Sequence, residues 1–184
     1  MNELIERRHK EPLKEYKIFI KNTQSSELLV MFLKAHLYIE VELTNMLTET
    51  IIDEKVIRNS TFSQKLDLAN SMGMLDEMYG PIKKVNSIRN SYGHDVNFKF
   101  DEEIFTDLIS TLSKQDKDDF LSEYEIWKPL LYKGDIPEFN YKTQFLLSNI
   151  WFGIVSCRLM AKQMLELRLR EKELETLEKY VSNS

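Results

Sequence analysis

The sequence SSELLVMFLKAHLYIEVELTNMLTETII, residues 25–52, decides the fold class. Its apolar residues recur at steps of three and four, which is the spacing of one face of an amphipathic helix. That face comprises Leu29, Phe32, His36, Ile39, Leu43 and Met46 with Leu47. Ser25 or Ser26 is placed to cap its start. We therefore predict one long helix here, followed by a polar loop over residues 53–61.

The same spacing continues along the rest of the chain. It predicts further helices over residues 62–72, 79–93, 102–113, 117–132 and 139–180. Gly73 and Gly93 should each end a helix, Pro129 should kink or shorten one, and Gly134 to Pro137 form the clearest break. With 5 glycines and 4 prolines, turn residues are scarce and the elements should be long. We predict an all-α single domain over residues 1–184, a bundle of five to seven helices with a long C-terminal helix.

Composition limits the functional classes. The chain carries 25 basic and 30 acidic residues, a net charge of −5, and so lacks the clustered positive charge of a general nucleic-acid binder. The single cysteine, Cys157, excludes an intramolecular disulfide and a cysteine-based zinc site, and its apolar neighbours predict a buried side chain. A reducing, cytoplasmic setting is expected. No run of 18 uncharged apolar residues occurs, so we predict no membrane span.

The charged second half of the C-terminal helix carries a short heptad pattern. Apolar residues recur every seven positions at Met160, Leu167, Leu174 and Val181, with Leu177 three after Leu174. Gln163 and Arg170 interrupt the pattern, which is shorter than a strong coiled coil needs. Two interpretations stay open, a solvated helix lying along the domain and a helix that pairs with a partner or a second copy.

One segment has the composition of a phosphate site. IRNSYGHD, residues 88–95, lies at the predicted end of a helix. It should place His94 roughly one turn beyond Arg89 and bring it back to the same side. Guanidinium grips phosphate in a bidentate fork, and imidazole can move a proton near neutral pH. The acidic runs at 101–103 and 116–119 are interpreted as charges that complement helix N-termini, and Asp101 is placed to cap the helix over 102–113. We expect no bound metal and no cofactor.

This segment resembles the R-N-x-x-x-H form of the R-x(4–6)-H motif of the HEPN superfamily. AHLYIEVELTNML, residues 35–47, is similar to the long first helix of that superfamily, with Glu40 at a recurring acidic position, and residues 62–95 resemble the approach to the motif. The resemblance covers residues 25–112 and implies a HEPN-like helical bundle. Residues 117–184 would complete the core or mediate dimerisation.

The resemblance implies specific roles. Arg89 would hold the scissile phosphate, His94 would act as general base or acid, and Asn90 would orient the phosphate or His94. Three weaker substrate-binding candidates accompany them. Tyr92 would stack on a base or fill core space, Lys84 would add positive charge, and Glu40 would orient Arg89.

The function implied is that of a metal-independent endoribonuclease acting on RNA as a homodimer, as a toxin with an antitoxin partner or as a phage-defence component. The alternative is a non-catalytic HEPN-like regulatory protein that binds a protein partner, such as a transcriptional co-regulator of the mannitol-repressor kind. In that case Arg89 would pair with Glu40 or Asp95, and His94 would only cap its helix. His36 is expected in the core, and His9 in solvent.

Overall fold

A computed structural model describes residues 14–50 and 54–182 of the chain. Within these ranges the backbone forms eight α-helices, one short 3-10 turn at Asp76–Met78 and no strand, so the all-α prediction is confirmed. The count exceeds the predicted five to seven because 14–23 is helical and a six-residue helix lies in the predicted loop over 53–61. The helices are α1 (14–23), α2 (Leu28–Thr48), α3 (Glu54–Asn59), α4 (Phe62–Ser71), α5 (Tyr79–His94), α6 (Glu102–Ser110), α7 (Lys114–Leu131) and α8 (Glu138–Ser182).

Helix α8 lies parallel to α2, and polar contacts fix both ends of the interface between the two helices. Near its start the Asn140 side-chain amide donates a hydrogen bond to the Ser26 carbonyl at 2.8 Å. Near the end of α2, Arg158 forms ion pairs with Glu42 at 2.8 Å and with Glu49 at 3.1 Å. The apolar side chains between these ends, with those of α1, α5 and α6, form one buried core.

Helix α5 packs on α2 in the opposite direction. Ile82, Val85 and Ile88 are buried, as their spacing predicts. At the start of α5, Met78 lies against Gly153 of α8, so closely that a Cβ there would come 2.6 Å from the Met78 sulfur. At the other end, the Tyr92 ring lies 6.1 Å from the Phe32 ring. The C-terminus of α5 therefore lies at the end of the bundle where α2 begins.

Local capping explains several helix boundaries. The Asp101 carboxylate accepts a hydrogen bond from the Ile104 amide at 3.0 Å, as predicted for an N-cap. Gly73 follows the last turn of α4 with a φ of 69°, the left-handed conformation that lets glycine end a helix. Thr61 and Gln64 form a reciprocal capping box at the start of α4. The break at Gly134, with a φ of 77°, separates α7 from α8.

Two predicted boundaries are wrong. Helix α2 begins at Leu28 with Glu27 as its N-cap. Ser25, whose hydroxyl accepts from the Glu27 amide, therefore lies two positions too early to cap it. Gly93 does not end α5, which continues through His94 to a C-cap at Asp95. Gly93 lies inside the helix, so its backbone keeps the right-handed helical conformation and its φ is not positive.

Helix α8 changes character along its length. Its buried core side chains end at Val155, and from residue 159 onward none of the side chains that the structure describes is buried. By length and composition α8 is apolar enough to cross a membrane, and half of its most apolar 18-residue window is buried within the domain. Cys157 is half-buried, and burial raises the pKa of its thiol. His9 and the side chains of Leu177 and Val181 lie outside the described residues.

The two glycines beside predicted helix ends should respond oppositely to alanine. Gly93→Ala should stabilise the protein by about 0.5 kcal/mol, because alanine restricts the unfolded chain and nothing lies within 4 Å of the added Cβ. Gly73→Ala should destabilise it by about 1 kcal/mol, because its positive φ strains any L side chain. Urea unfolding of both variants measures the difference. Equal losses in the two variants would contradict the account of α5.

Removing Arg158 should leave a buried carboxylate without its partner. Arg158→Met should cost about 3 kcal/mol near neutral pH, because the Glu42 side chain is 10% exposed and breaking such a pair leaves its charge uncompensated. Burial already raises the pKa of Glu42, and Arg158 lowers it, so the variant should raise it further. A carboxyl whose pKa is raised in the folded state makes the protein less stable as pH rises, because its charged form is favoured more in the unfolded chain. The loss of stability in Arg158→Met should therefore be larger at pH 8 than at pH 5.

Unfolding by urea at both pH values tests this prediction. Arg168→Met is the matched control, since Arg168 is exposed on the same helix, and it should change stability by less than about 0.5 kcal/mol. Adding Glu42→Gln to Arg158→Met should recover part of the loss and remove its pH dependence. A pH-independent loss in Arg158→Met would count against the buried-charge explanation.

Candidate functional site

A polar groove of about 430 Å³ lies between α4 and α5. Its lining combines hydroxyls, amides and charged groups with one apolar side chain. From α4 come Ser63, Leu66 and Asp67, and from α5 come Lys83, Asn86, Ser87, Asn90, Ser91 and His94. The groove therefore contains two of the three predicted catalytic residues, Asn90 and His94.

A polar stripe on α5 forms one wall of this groove. Lys83, Ser87, Asn90 and His94 follow one another at steps of four, three and four, so they share one face of the helix. The opposite, apolar face of α5 is held against α2, which turns the stripe toward α4 and solvent. The sequence does show these polar residues at helical spacing. Lys83 and Ser87 are not among the predicted site residues because they lie outside the interval from Arg89 to His94.

Arg89 and His94 project from different faces of α5. At 100° per residue, five positions place them about 140° apart around the axis, so His94 does not return to the side of Arg89 as predicted. The reason is that α5 continues as a regular helix through Gly93. Both side chains are exposed.

Asn90 links these two faces. It lies about 40° from His94 around the helix, on the side toward Arg89. The Arg89 guanidinium donates a hydrogen bond from Nη1 to Asn90 Oδ1 at 3.0 Å. In the part of the chain that the structure describes, no carboxylate forms an ion pair with Arg89, so neither Glu40 nor Asp95 neutralises it. Arg89 thus keeps donors free at the edge of the groove.

Glu40 does not orient Arg89. Its Oε1 atom pairs with Lys65 Nζ at 3.0 Å, and the Lys65 side chain is only 8% exposed. The buried ammonium of α4 requires a counter-charge, and Glu40 on α2 supplies it. This pairing across helices distant in sequence carries no signal in the local residue pattern.

Lys84 and Tyr92 also lie outside the groove lining. Lys84 pairs with Asp107 of α6 at 3.4 Å, while its neighbour Lys83 faces the groove. The Tyr92 ring packs edge-on against Phe98 at 4.7 Å, and burial raises the pKa of its phenol. Tyr92 therefore fills the space between α5 and the following loop, the second of the two roles considered for it.

A buried histidine on α2 is hydrogen-bonded to a residue that lines the groove. His36 Nε2 lies 3.0 Å from Asn86 Oδ1, and the Asn86 amide donates to Ser63 Oγ at 3.4 Å. Burial lowers the pKa of His36, and the nearby Arg89 charge lowers it further. His36 is therefore neutral near pH 7 and ties α2 to the groove through Asn86.

Hydrogen bonds also fix the opposite end of the groove. The Tyr79 hydroxyl donates to Asp67 Oδ1 at 2.9 Å, and Lys83 Nζ donates to the Tyr79 oxygen at 3.3 Å. Lys83 also lies over the Tyr79 ring. These contacts hold one positive charge near the groove and place Asp67 as its only lining carboxylate.

Comparison of the chain with family models, with curated proteins and with solved structures finds no match. In the residues that the structure describes, no three histidine, cysteine, aspartate or glutamate side chains are grouped as metal ligands. The site is therefore characterised by the groove itself, with its exposed imidazole, its uncompensated guanidinium and the asparagine between them.

Proposed function

We propose that this protein is a metal-independent endoribonuclease of the HEPN type, acting as a dimer in a toxin–antitoxin or phage-defence system. The observation that carries the proposal is the hydrogen bond from Arg89 to Asn90, because Asn90 also lines the groove that contains His94. This hydrogen bond holds Arg89, which has no carboxylate partner among the described residues, against the asparagine that lies between it and the exposed His94. The proposal requires one phosphate of an RNA chain to reach both groups, with Asn90 between them.

The proposed reaction divides the work between these side chains. Arg89 holds the scissile phosphate and stabilises the negative charge that develops on it. His94 removes the proton from the ribose 2′-hydroxyl, the 2′-oxygen forms a bond to phosphorus, and the bond to the 5′-oxygen breaks. The 5′-oxygen takes a proton from the acid form of a second His94, supplied by the other chain of the dimer, or from water. The products are a 2′,3′-cyclic phosphate and a 5′-hydroxyl.

The groove suits a single phosphate better than a long stretch of backbone. Lys83 lines the groove and Arg89 lies next to its lining residue Asn90, while the chain as a whole carries a net charge of −5. Serine and asparagine side chains along α5 can donate hydrogen bonds to phosphate or ribose oxygens. We expect short, single-stranded RNA segments as substrates, since these can bend into a local groove.

A second candidate function is a non-catalytic HEPN-like regulatory protein that acts by binding other chains. The exposed apolar side chains along the C-terminal half of α8 favour it, as does the acidic balance of the chain. In this case the groove would contribute recognition of a partner without bond cleavage.

RNA cleavage in the presence of a chelator separates the two functions. End-labelled single-stranded RNAs are incubated with micromolar protein and EDTA. The wild type should cut them, and Arg89→Ala and His94→Ala should each reduce the rate at least about 100-fold. Arg168→Ala, which removes an exposed arginine that does not line the groove, should cut like the wild type. The new 3′ ends should resist polyadenylation until a phosphatase that opens cyclic phosphates is added.

Failure to cut any of several RNAs would favour the regulatory function. Undiminished cleavage by Arg89→Ala or His94→Ala would contradict the assigned roles, provided that circular dichroism shows both variants folded. Cleavage that leaves 3′-hydroxyl ends would contradict the attack by the 2′-oxygen.

A further inference from the structure

The last 24 residues of α8, numbers 159–182 and here called the α8 extension, continue the helix beyond the buried core. Met160, Met164 and Arg168 line a cavity of about 1050 Å³ beside the domain, and no described residue after Arg168 lines it. At 1.5 Å per residue the extension is about 36 Å long. Of its described side chains only Ala161 and Leu165 are half-buried, and the others are exposed. A helix without tertiary packing is only marginally stable in water, so this one needs a partner surface.

An apolar stripe runs along the extension. Met160, Met164, Leu167 and Leu174 are between 53% and 62% exposed, and they fall on one face of the helix. Exposed apolar side chains that are contiguous on one face mark an interaction surface. By position in the helix, Val181 continues the stripe and Leu177 lies at its edge, about 60° from Leu174 around the axis.

The spacing of the stripe is symmetric. From Met160 to Val181 the six positions of the stripe and its edge follow at steps of four, three, seven, three and four, which read the same in both directions. The centre lies between Arg170 and Glu171. A helix with this pattern matches an identical helix that runs antiparallel to it, because every apolar position then meets another.

The net charges of the two halves of the extension are equal in size and opposite in sign. Residues 159–170 carry three basic side chains and one acidic, a net charge of +2. Residues 171–182 carry two basic side chains and four acidic, a net charge of −2. An antiparallel pair sets the positive half of each helix against the negative half of the other, whereas a parallel pair sets like charges together.

We propose that the α8 extension binds the α8 extension of a second copy of this chain, as an antiparallel two-stranded coiled coil. Met160 then lies opposite the partner's Val181, Met164 opposite the partner's Leu177, and Leu167 opposite the partner's Leu174. Arg170 lies beside the partner's Glu171 at the two-fold axis. This pair occurs twice by symmetry and fixes the register, as a polar layer does in a coiled coil.

This interface is separate from the groove. The extension leaves the domain at the end of the bundle where α2 ends and where Arg158 meets Glu49. His94 lies at the other end, beyond the contact of Tyr92 with Phe32. The points where the two extensions leave their domains lie about 37 Å apart at 1.5 Å per residue, so this pairing does not bring two His94 grooves together. The second His94 of the proposed reaction would therefore come through a different interface.

Molar mass tests the interface. The full-length wild type is measured by light scattering after gel filtration at about 50 μM. Replacing both central leucines, Leu167→Glu with Leu174→Glu, should halve the mass without changing the thermal unfolding of the domain. Leu169→Glu is the matched control, since Leu169 is 54% exposed but lies on the opposite face, and it should keep the wild-type mass. A monomeric wild type, or an unchanged mass in the double variant, would overturn the proposal.

Disulfide cross-linking tests the orientation. In a Cys157→Ala background, chains with Leu167→Cys are mixed with chains with Leu174→Cys under mild oxidation. An antiparallel pair should give a covalent dimer in the mixture and little in either variant alone, because equivalent positions lie about 10 Å apart along the axis. Efficient cross-linking of Leu167→Cys chains alone would show a parallel pair. Absence of cross-linking in the mixture would also overturn the register.

Discussion

The packing of α8 along α2 is the constraint on which the other elements depend. Asn140 fixes one end of this contact and Arg158 the other, and the core side chains between them, such as Ile39, Leu146 and Ile150, are fully buried. Helix α1 folds back along α8, where Gln144 donates a hydrogen bond to the Ile20 carbonyl at 2.7 Å. The apolar face of α5 packs mainly on α2, and this packing determines the direction in which the polar face of α5 points.

The groove follows from this arrangement. Since Val85 and Ile88 are buried against α2, the stripe from Lys83 to His94 faces α4 and solvent. His36 reaches from α2 to Asn86 and couples the core to the groove wall. The same packing leaves half of α8 outside the domain. The two proposals thus concern opposite ends of one framework, a groove for a phosphate and a helix for a second copy.

The sequence predicts what depends on local chemistry. The apolar spacing of α2, the cap at Asp101 and the break near Gly134 all have short-range physical causes. All three are confirmed, except that Leu29 of the predicted α2 face is exposed. Gly93 misleads because glycine also occurs inside helices, and only the following residues decide whether a helix continues. The partner of Glu40 and the separation of Arg89 from His94 around α5 depend on tertiary packing, which a linear pattern does not contain.

Direct observation of the two side chains with a phosphate tests the central claim. NMR spectra of the selectively labelled protein report the imidazole of His94 and the guanidinium of Arg89 while an RNA with 2′-deoxy substitution, which cannot be cleaved, is added. The account predicts that both sets of signals shift together at one RNA concentration, while the buried His36 keeps its neutral form. Shifts of neither group at saturating RNA, or of Arg89 without His94, would contradict a shared phosphate site.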